Sequence, residues 1–448
     1  MKPLAIDLFC GAGGMSEGIL QAGFHIVFSS DINEDVERTY TNRHEQLSLK
    51  QGVNTFFHRS DIRELESDFI RSAIKSLEIF KGRTNMPTID AIFGGPPCQG
   101  FSRAGQRKKD DPRNMLFKEY LRIINDIRPS YVVMENVEGF TDTRLDGFIG
   151  VKDKLYPDNS LVPEILKEEF IEIGYRHLEP RILDASDYGV PQRRKRVIFI
   201  AYLEDKPVPS YPEAITPNEE DKITVQDAIA DLIISTNRVR EFSQYQKESI
   251  KGRTLTVEGT PVPHFGEIYN HDVSRHNALI MERFSLFKEG ESTSMLVKRL
   301  LDEGLDLENY PLLFRECTVK LEGVLTQEQI LNKFREKEID EVMLEALLTK
   351  KSNRFRLSRN GTAPTMVTLP DDFLTPFENR IPTVREMARL QSFDDSFVFL
   401  GKRTTGGPRR KVEVPQYTQV GNAVPPLLAR AIASRIIAAI EAEVHLTV

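Results

Sequence analysis

The sequence predicts an α/β protein: a doubly wound, mostly parallel sheet joined to a second, smaller domain. Three observations predict it. Short apolar runs at 4–9, 25–30, 90–93, 131–134 and 197–201 alternate with helical patterns, the form of a sheet built from βαβ units. These runs are continuously apolar, as strands covered on both faces are. At Lys206 the texture changes to KPVPSYPEAITPNEED, whose prolines and acids cannot continue a sheet and read as a linker. A chain of 448 residues also exceeds what one hydrophobic core usually serves. The expected division is a first domain over 1–205, completed by 412–448, and a second region over 206–411.

The first apolar run leads into FCGAGGMSEG, where Gly11, Gly13 and Gly14 let the backbone turn tightly and approach a ligand before a helix begins. The second ends at Asp31, twenty residues after Gly11, where a carboxylate can accept from both hydroxyls of a ribose. Together they favour a nucleoside-bearing cofactor. The third ends in FGGPPCQGFS, placing Cys98 on a stiff, exposed backbone suited to a nucleophile. The polar, basic stretch 99–113 follows, with Gly100 and Gly105 as hinges. The fourth run delivers Glu135 and Asn136 to the same edge; a carboxyl there can donate a proton or anchor a heterocycle, although a lone Glu can equally cap a helix. The fifth, YGVPQRRKRVIFI, sets Gln192, Arg194 and Arg196 at alternate positions on one face. Beyond the linker, TQEQILNKFREKEIDEVMLEALL reads as an amphipathic helix with Thr326 and Gln329 as its capping box, TVREMARLQSF as another, and PPLLARAIASRIIAAIEAEV as a terminal helix that needs a core to bury it.

Composition narrows the function classes. A net charge of −7 removes any whole-molecule attraction to nucleic acid, so a phosphate-binding surface has to be local. Three windows qualify: Arg193 to Arg196; Lys350, Lys351, Arg354, Arg356 and Arg359; and Lys402, Arg403, Arg409, Arg410 and Lys411. No apolar run is long enough to cross a bilayer, and Asp7 interrupts the place of a signal peptide, so a soluble, intracellular protein is expected. Cys10, Cys98 and Cys317 form no CxxC, which points to neither a disulfide framework nor a metal.

With these residues in view, the sequence resembles the DNA (cytosine-5) methyltransferases that use S-adenosylmethionine. DLFCGAGGMSEG is similar to the family's cofactor loop, GGPPCQGFS to its nucleophile loop, ENVEGF to its glutamate motif and QRRKRV to its QxRxR motif. TVREMARLQSFDD and QVGNAVPP are similar to its last two motifs. The resemblance implies a methyltransferase fold with a smaller target-recognition domain. It implies that Cys98 attacks C6 of a flipped-out cytosine, that Glu135 holds N3 and the amino group, that Asn136 supports that loop, and that Arg194 contacts the exocyclic oxygen while Gln192 and Arg196 order the site. For the cofactor it implies Phe9 near the adenine, Gly11 and Gly13 at the methionine end, Asp31 on the ribose, Asp61 and Ile62 on the adenine, and Asn422 completing the pocket from the far end of the chain. It implies no metal. The implied partner is double-stranded DNA, either with a cognate restriction endonuclease acting on the same site without stable binding or, equally consistent with the residues, in a solitary regulatory methyltransferase; the implied setting is a monomer in the bacterial cytoplasm, at the nucleoid when bound to DNA.

The chain departs from the usual pattern in two longer connections, 64–88 and 145–162, neither touching a motif residue. Rival readings fare worse. Amino-directed DNA methyltransferases place an aromatic residue after the paired prolines, where this chain has Cys98. The branch that methylates transfer RNA carries a CFT element and a short recognition region, absent here. A repressor on a dead methyltransferase shell would have no reason to retain Cys98, Glu135, Gln192, Arg194 and Arg196 together.

Overall fold

The computed structural model describes residues 2–97, 116–235, 241–263, 266–349, 351, 353–405, 409 and 412–446. Its centre is an eight-stranded sheet. From one edge the strands run Phe56–Arg59, His25–Asp31, Leu4–Leu8, Ala91–Gly94, Tyr131–Val137, Lys195–Leu203 and Tyr175–His177, with Arg181–Asp184 also paired to Lys195–Leu203. The first five are mutually parallel. Lys195–Leu203 then runs antiparallel to Tyr131–Val137 and to its outer neighbours, so the sheet is mostly parallel, as expected. Strand order reverses at Leu4–Leu8, whose neighbours are the second and fourth strands, and ligands bind at the carboxyl ends beside such a switch.

The two-residue period of each strand divides the core. Ala5, Ile26, Phe93, Val133, Ile198 and Ile200 face one layer with Ile19, Ile432 and Ile436. Ile6, Leu8, Val27, Ile92, Val132, Met134 and Phe199 face the other with Ile74, Leu121 and Leu166. Burying each large apolar side chain contributes roughly 1.5–3 kcal/mol before entropy is counted. The strands Phe56–Arg59, Tyr175–His177 and Arg181–Asp184 escaped the sequence pattern because they are short, lie at or near an edge and carry charged residues.

The terminal helix, Pro426–Leu446, does return to the first helix, Gly14–Ala22. A Cβ on Gly18 would lie 2.4 Å from Ala429 Cβ and 2.5 Å from the Pro426 carbonyl oxygen, so only glycine permits this approach.

The segment after Lys206 ends the sheet without leaving its core. Tyr211 is buried and donates to the Ile198 carbonyl at 2.8 Å, and Val225, Ile229, Tyr245, Met387 and Phe393 share the cluster of the first strand. Inside 206–411 a separate apolar cluster gathers Phe284, Leu296, Leu300, Leu313, Ile330, Phe334, Met343 and Leu347. The Thr326 capping box forms as expected, but the helix read through to 348 is two, Gln327–Arg335 and Glu341–Leu347. Lys337 takes a positive φ of 69° between them, and Asp340 caps the second by accepting from the Met343 amide at 2.9 Å. A strong new N-cap inside a charged run outweighs helical periodicity.

Candidate active site

The turn after Leu4–Leu8 is built from left-handed backbone: φ is 56° at Phe9, 54° at Gly11 and 100° at Gly13. Gly11 donates its amide to Asp31 Oδ2 at 3.1 Å, while Asp31 Oδ1 accepts from the Asn33 amide at 2.9 Å. Burial raises the Asp31 carboxyl despite these bonds. The Ser60 amide donates to the Asp31 carbonyl at 3.1 Å, bringing Asp61 and Ile62 alongside. Ile62 is buried, and Asp61 is held below the ordinary carboxylate range by Arg63, whose Nε lies 2.9 Å from Oδ1. Nothing lies within 4 Å of where a Cβ on Gly11 would point, which leaves open space above the turn. A carboxylate beside a glycine turn with open space fits a nucleoside cofactor. Asn422 is exposed at the end of helix Gln416–Asn422, and the Val424 carbonyl comes so close to Gly14 that a Cβ there would collide with it.

The second half of the site lies at the ends of two central strands. Asn136 donates from Nδ2 to the Pro96 carbonyl at 3.1 Å and so fastens the start of the PPCQ loop. Glu135 is buried, and its Oε2 would lie 3.1 Å from a Cβ on Gly95. Arg196 Nε sits 2.5 Å from Glu135 Oε1, an ion pair whose angle leaves that oxygen without a hydrogen bond. The antiparallel register causes this meeting, since Ile198 stands opposite Glu135 and Arg196 opposite Val137. Cys98 and 99–113 lie outside the described residues; Pro97 is the last described residue before them.

Arg194, expected at the exocyclic oxygen, is engaged elsewhere. Its two terminal nitrogens donate to the carbonyls of Met366 at 3.2 Å and Gly421 at 3.0 Å. Burial and the Arg196 charge pull its pKa well down, with Glu135 opposing. Gln192, also buried, accepts from the Met366 amide at 2.8 Å and donates to the Leu390 carbonyl at 3.2 Å. Gln192 and Arg194 therefore clasp the chain around 366, 390 and 421, and the arginine brought to the glutamate is Arg196.

Two buried groups in the cofactor-loop motif have no site role assigned from sequence. Asp7 accepts from the Ser16 hydroxyl through Oδ2, while its Oδ1 has no partner; burial, opposed by that hydroxyl and reinforced by Asp31, pushes the carboxyl up to about 7. Glu17 accepts from Arg43 Nε at 2.8 Å and from Thr254 Oγ1 at 2.5 Å, tying the helix behind the glycine turn to a residue 237 positions away. No local spacing signals such a partnership. The basic windows are partly spent inside the protein. Arg354 and Arg356 are buried and donate to the carbonyls of Asp371 at 3.1 Å and Phe284 at 2.8 Å. The outward cations Arg193, Lys351 and Lys402 pair with Glu219, Asp372 and Glu413, contacts weak enough to exchange for phosphate. Lys350, Arg410 and Lys411 lie outside the described residues.

A mostly parallel sheet with a glycine turn and a buried carboxylate at its switch point, and a glutamate–arginine pair two strands away, together form the arrangement expected of a nucleoside-cofactor enzyme. The chain belongs to the C-5 cytosine-specific DNA methylase family, whose profile matches residues 4–438. Its chemistry is methyl transfer to C5 of cytosine in DNA, with S-adenosylmethionine as the methyl donor the family implies. The chain is 31% identical to the type II methyltransferase M.DdeI of Desulfomicrobium norvegicum, over 96% of this chain and 88% of that one. It is 29% identical to the type II methyltransferase M1.HphI of Haemophilus parahaemolyticus, over 96% and 86%. The fold is similar to that of a candidate DNA modification methyltransferase encoded within a prophage of E. coli, with a TM-score of 0.61, 22% identity and coverage of 98% and 99%.

Proposed function

We propose that the chain methylates C5 of a cytosine within a specific double-stranded DNA sequence through a covalent bond between Cys98 and C6, and that it is the modification enzyme of a type II restriction-modification system. The observation that carries the reading is the Glu135–Arg196 pair, set beside Gly95 three residues before Cys98, with one carboxylate oxygen lacking a hydrogen bond. C6 is shielded in a stacked duplex, so the base has to be turned out into the pocket. The Cys98 thiolate then bonds to C6, and the electrons of the 5,6 double bond move to C5, otherwise too poor a nucleophile to take a methyl group. Glu135 holds N3 and the amino group and supplies the proton to the ring; Arg196 orients Glu135 and reaches the exocyclic oxygen. After methylation the C5 proton passes to solvent, its bonding electrons re-form the 5,6 double bond, the C6–sulfur bond breaks with its electrons on sulfur, and the ring returns its proton to Glu135, restoring both Cys98 and Glu135.

Phe9, Gly11, Gly13, Asp31, Asp61, Ile62 and Asn422 would hold S-adenosylmethionine, which supplies an electrophilic methyl on its sulfonium. Gln192 and Arg194 act at one remove, by fixing the backbone that frames the pocket. The smaller unit within 206–411 serves target recognition, on DNA in the cytoplasm. The names of the relatives support the restriction-modification role. A duplex containing 5-fluorocytosine, with cofactor, should trap a protein–DNA complex that survives denaturing electrophoresis and is absent for Cys98→Ala. No trapped complex from wild-type protein that still binds cofactor would remove the mechanism.

A further inference from the structure

The longer connection at 145–162 has no place in this chemistry, yet it is built around aromatic side chains. Arg144–Leu145 pairs antiparallel with Ser160–Leu161. Between them the Tyr156 amide donates to the Phe148 carbonyl at 2.9 Å. Phe148 and Tyr156 are turned inward, 1% and 4% exposed, with ring centres 5.7 Å apart. Phe148 stacks on Phe117 at 5.1 Å with 17° between the planes. Phe117 is the second residue of helix Leu116–Ile127, into which the chain passes after the nucleophile loop. Phe117 also meets Phe140 edge-on at 6.3 Å, in the turn Glu138–Asp142 that follows Glu135 and Asn136. Phe140 in turn meets Phe199 at 5.8 Å, on the strand that begins with Lys195 and Arg196.

Five rings thus form a file from the insertion to three elements of the active site: the exit of the nucleophile loop, the glutamate turn and the arginine strand. The insertion is itself pinned. Glu169, fully buried on helix Val162–Glu172, accepts from the Tyr156 hydroxyl at 2.7 Å and from the Val151 amide at 2.7 Å. A Cβ on Gly150 would collide with the same carboxylate, so any side chain there would have to displace Glu169. Packed interiors transmit such constraints because they are close to crystalline density.

We propose that the insertion at 145–162 is a positioning element for catalysis. Through Phe148 it sets the first turn of helix Leu116–Ile127 against Phe140, and so fixes the spacing between the exit of the nucleophile loop and Glu135. This rests on the reading of Cys98 as nucleophile. The test measures single-turnover methyl transfer, S-adenosylmethionine affinity and melting temperature for Phe148→Leu, which keeps an apolar group but loses the stacked ring. Phe80→Leu is the control, a buried residue of the same apolar cluster with no ring contact to the file among the described residues. Phe148→Leu should slow single-turnover transfer roughly tenfold, as small misplacements of reacting groups do, with cofactor affinity unchanged. Phe80→Leu should lower the melting temperature and leave the rate alone. Equal rates in the two variants, or cofactor affinity falling in step with rate, would overturn the proposal. Should Phe148→Leu fail to fold, Tyr156→Phe carries the test: it keeps the ring and loses only the bond to Glu169, and an unchanged rate overturns the proposal. Cys98→Ala separates the two readings. Methylation retained by that variant overturns both, whereas its loss beside an unchanged Phe148→Leu rate overturns the positioning role alone.

Discussion

The sheet and the helical stretch Ala278–Leu347 both rest on buried apolar side chains, but they treat polar groups in opposite ways. Around the sheet, Asp7, Glu17, Arg43, Glu135, Asn136, Gln192 and Arg194 are all buried. In the helical stretch, among the described residues, Glu291 and Thr293 are the buried polar ones. Burying polar groups is costly unless each is paired, so a region that does it repeatedly is held to geometry as well as stability. The helical stretch instead carries nine basic and fifteen acidic residues, and that balance repels a phosphate backbone. Under the proposed target-recognition role, contacts to DNA within 206–411 would therefore fall to segments around it, where Lys402 is exposed.

The contrast can be broken most severely at the glutamate. Glu135→Gln keeps the shape and loses the proton, so kcat should fall about 10²–10⁴-fold with cofactor affinity kept; a fall below tenfold would place the ring's proton donor elsewhere. In the other region, Leu300→Ala should cost roughly 2–5 kcal/mol in denaturant unfolding, as large-to-small changes in a core do. S-adenosylmethionine affinity should stay constant, and a parallel loss would show that the two regions are one energetic unit.

Asp7 offers a pH-linked test. Its carboxyl is ordinarily 3.8 and stands at about 7 when folded, so between those values the folded chain keeps a proton that the unfolded chain has released. This contribution to stability is whole below pH 3.8 and is lost as pH rises through 7. Asp7→Asn should therefore gain in melting temperature on the wild type as pH climbs from 4 to 8; an unchanged difference would mean the carboxyl is not buried as described. The smallest effect belongs to the acidic surface. Glu328→Lys with Glu336→Lys, both exposed, should leave stability within about 0.5 kcal/mol and tighten non-specific DNA binding at low salt. Weaker binding would refute the electrostatic argument.

Much of the site was legible because its chemistry constrains single residues. The turn at Gly11 and Gly13, the acid at Asp31 and the pair Glu135 and Asn136 lie immediately after apolar runs, where strand ends place them. The two arginines were less legible, for a definite reason. Alternation puts Arg194 and Arg196 on one face, but only the antiparallel register of Lys195–Leu203 against Tyr131–Val137 decides which of them meets Glu135. Nor does local sequence relate Glu17 to Thr254, or Phe117 to Phe148, since those contacts arise when separate layers close on one another.

By itself the sequence determined the strand–helix rhythm, the carboxyl-end placement of the reactive residues and the family, because apolar period, glycine turns and motif order are local properties of a chain. The tertiary structure alone decided that Arg196 faces the glutamate, that Arg194 and Gln192 clasp the backbone, and that an insertion without motif residues lies against the exit of the nucleophile loop. Such outcomes depend on strand register and on layers packing together, and neither is encoded at any one stretch of sequence.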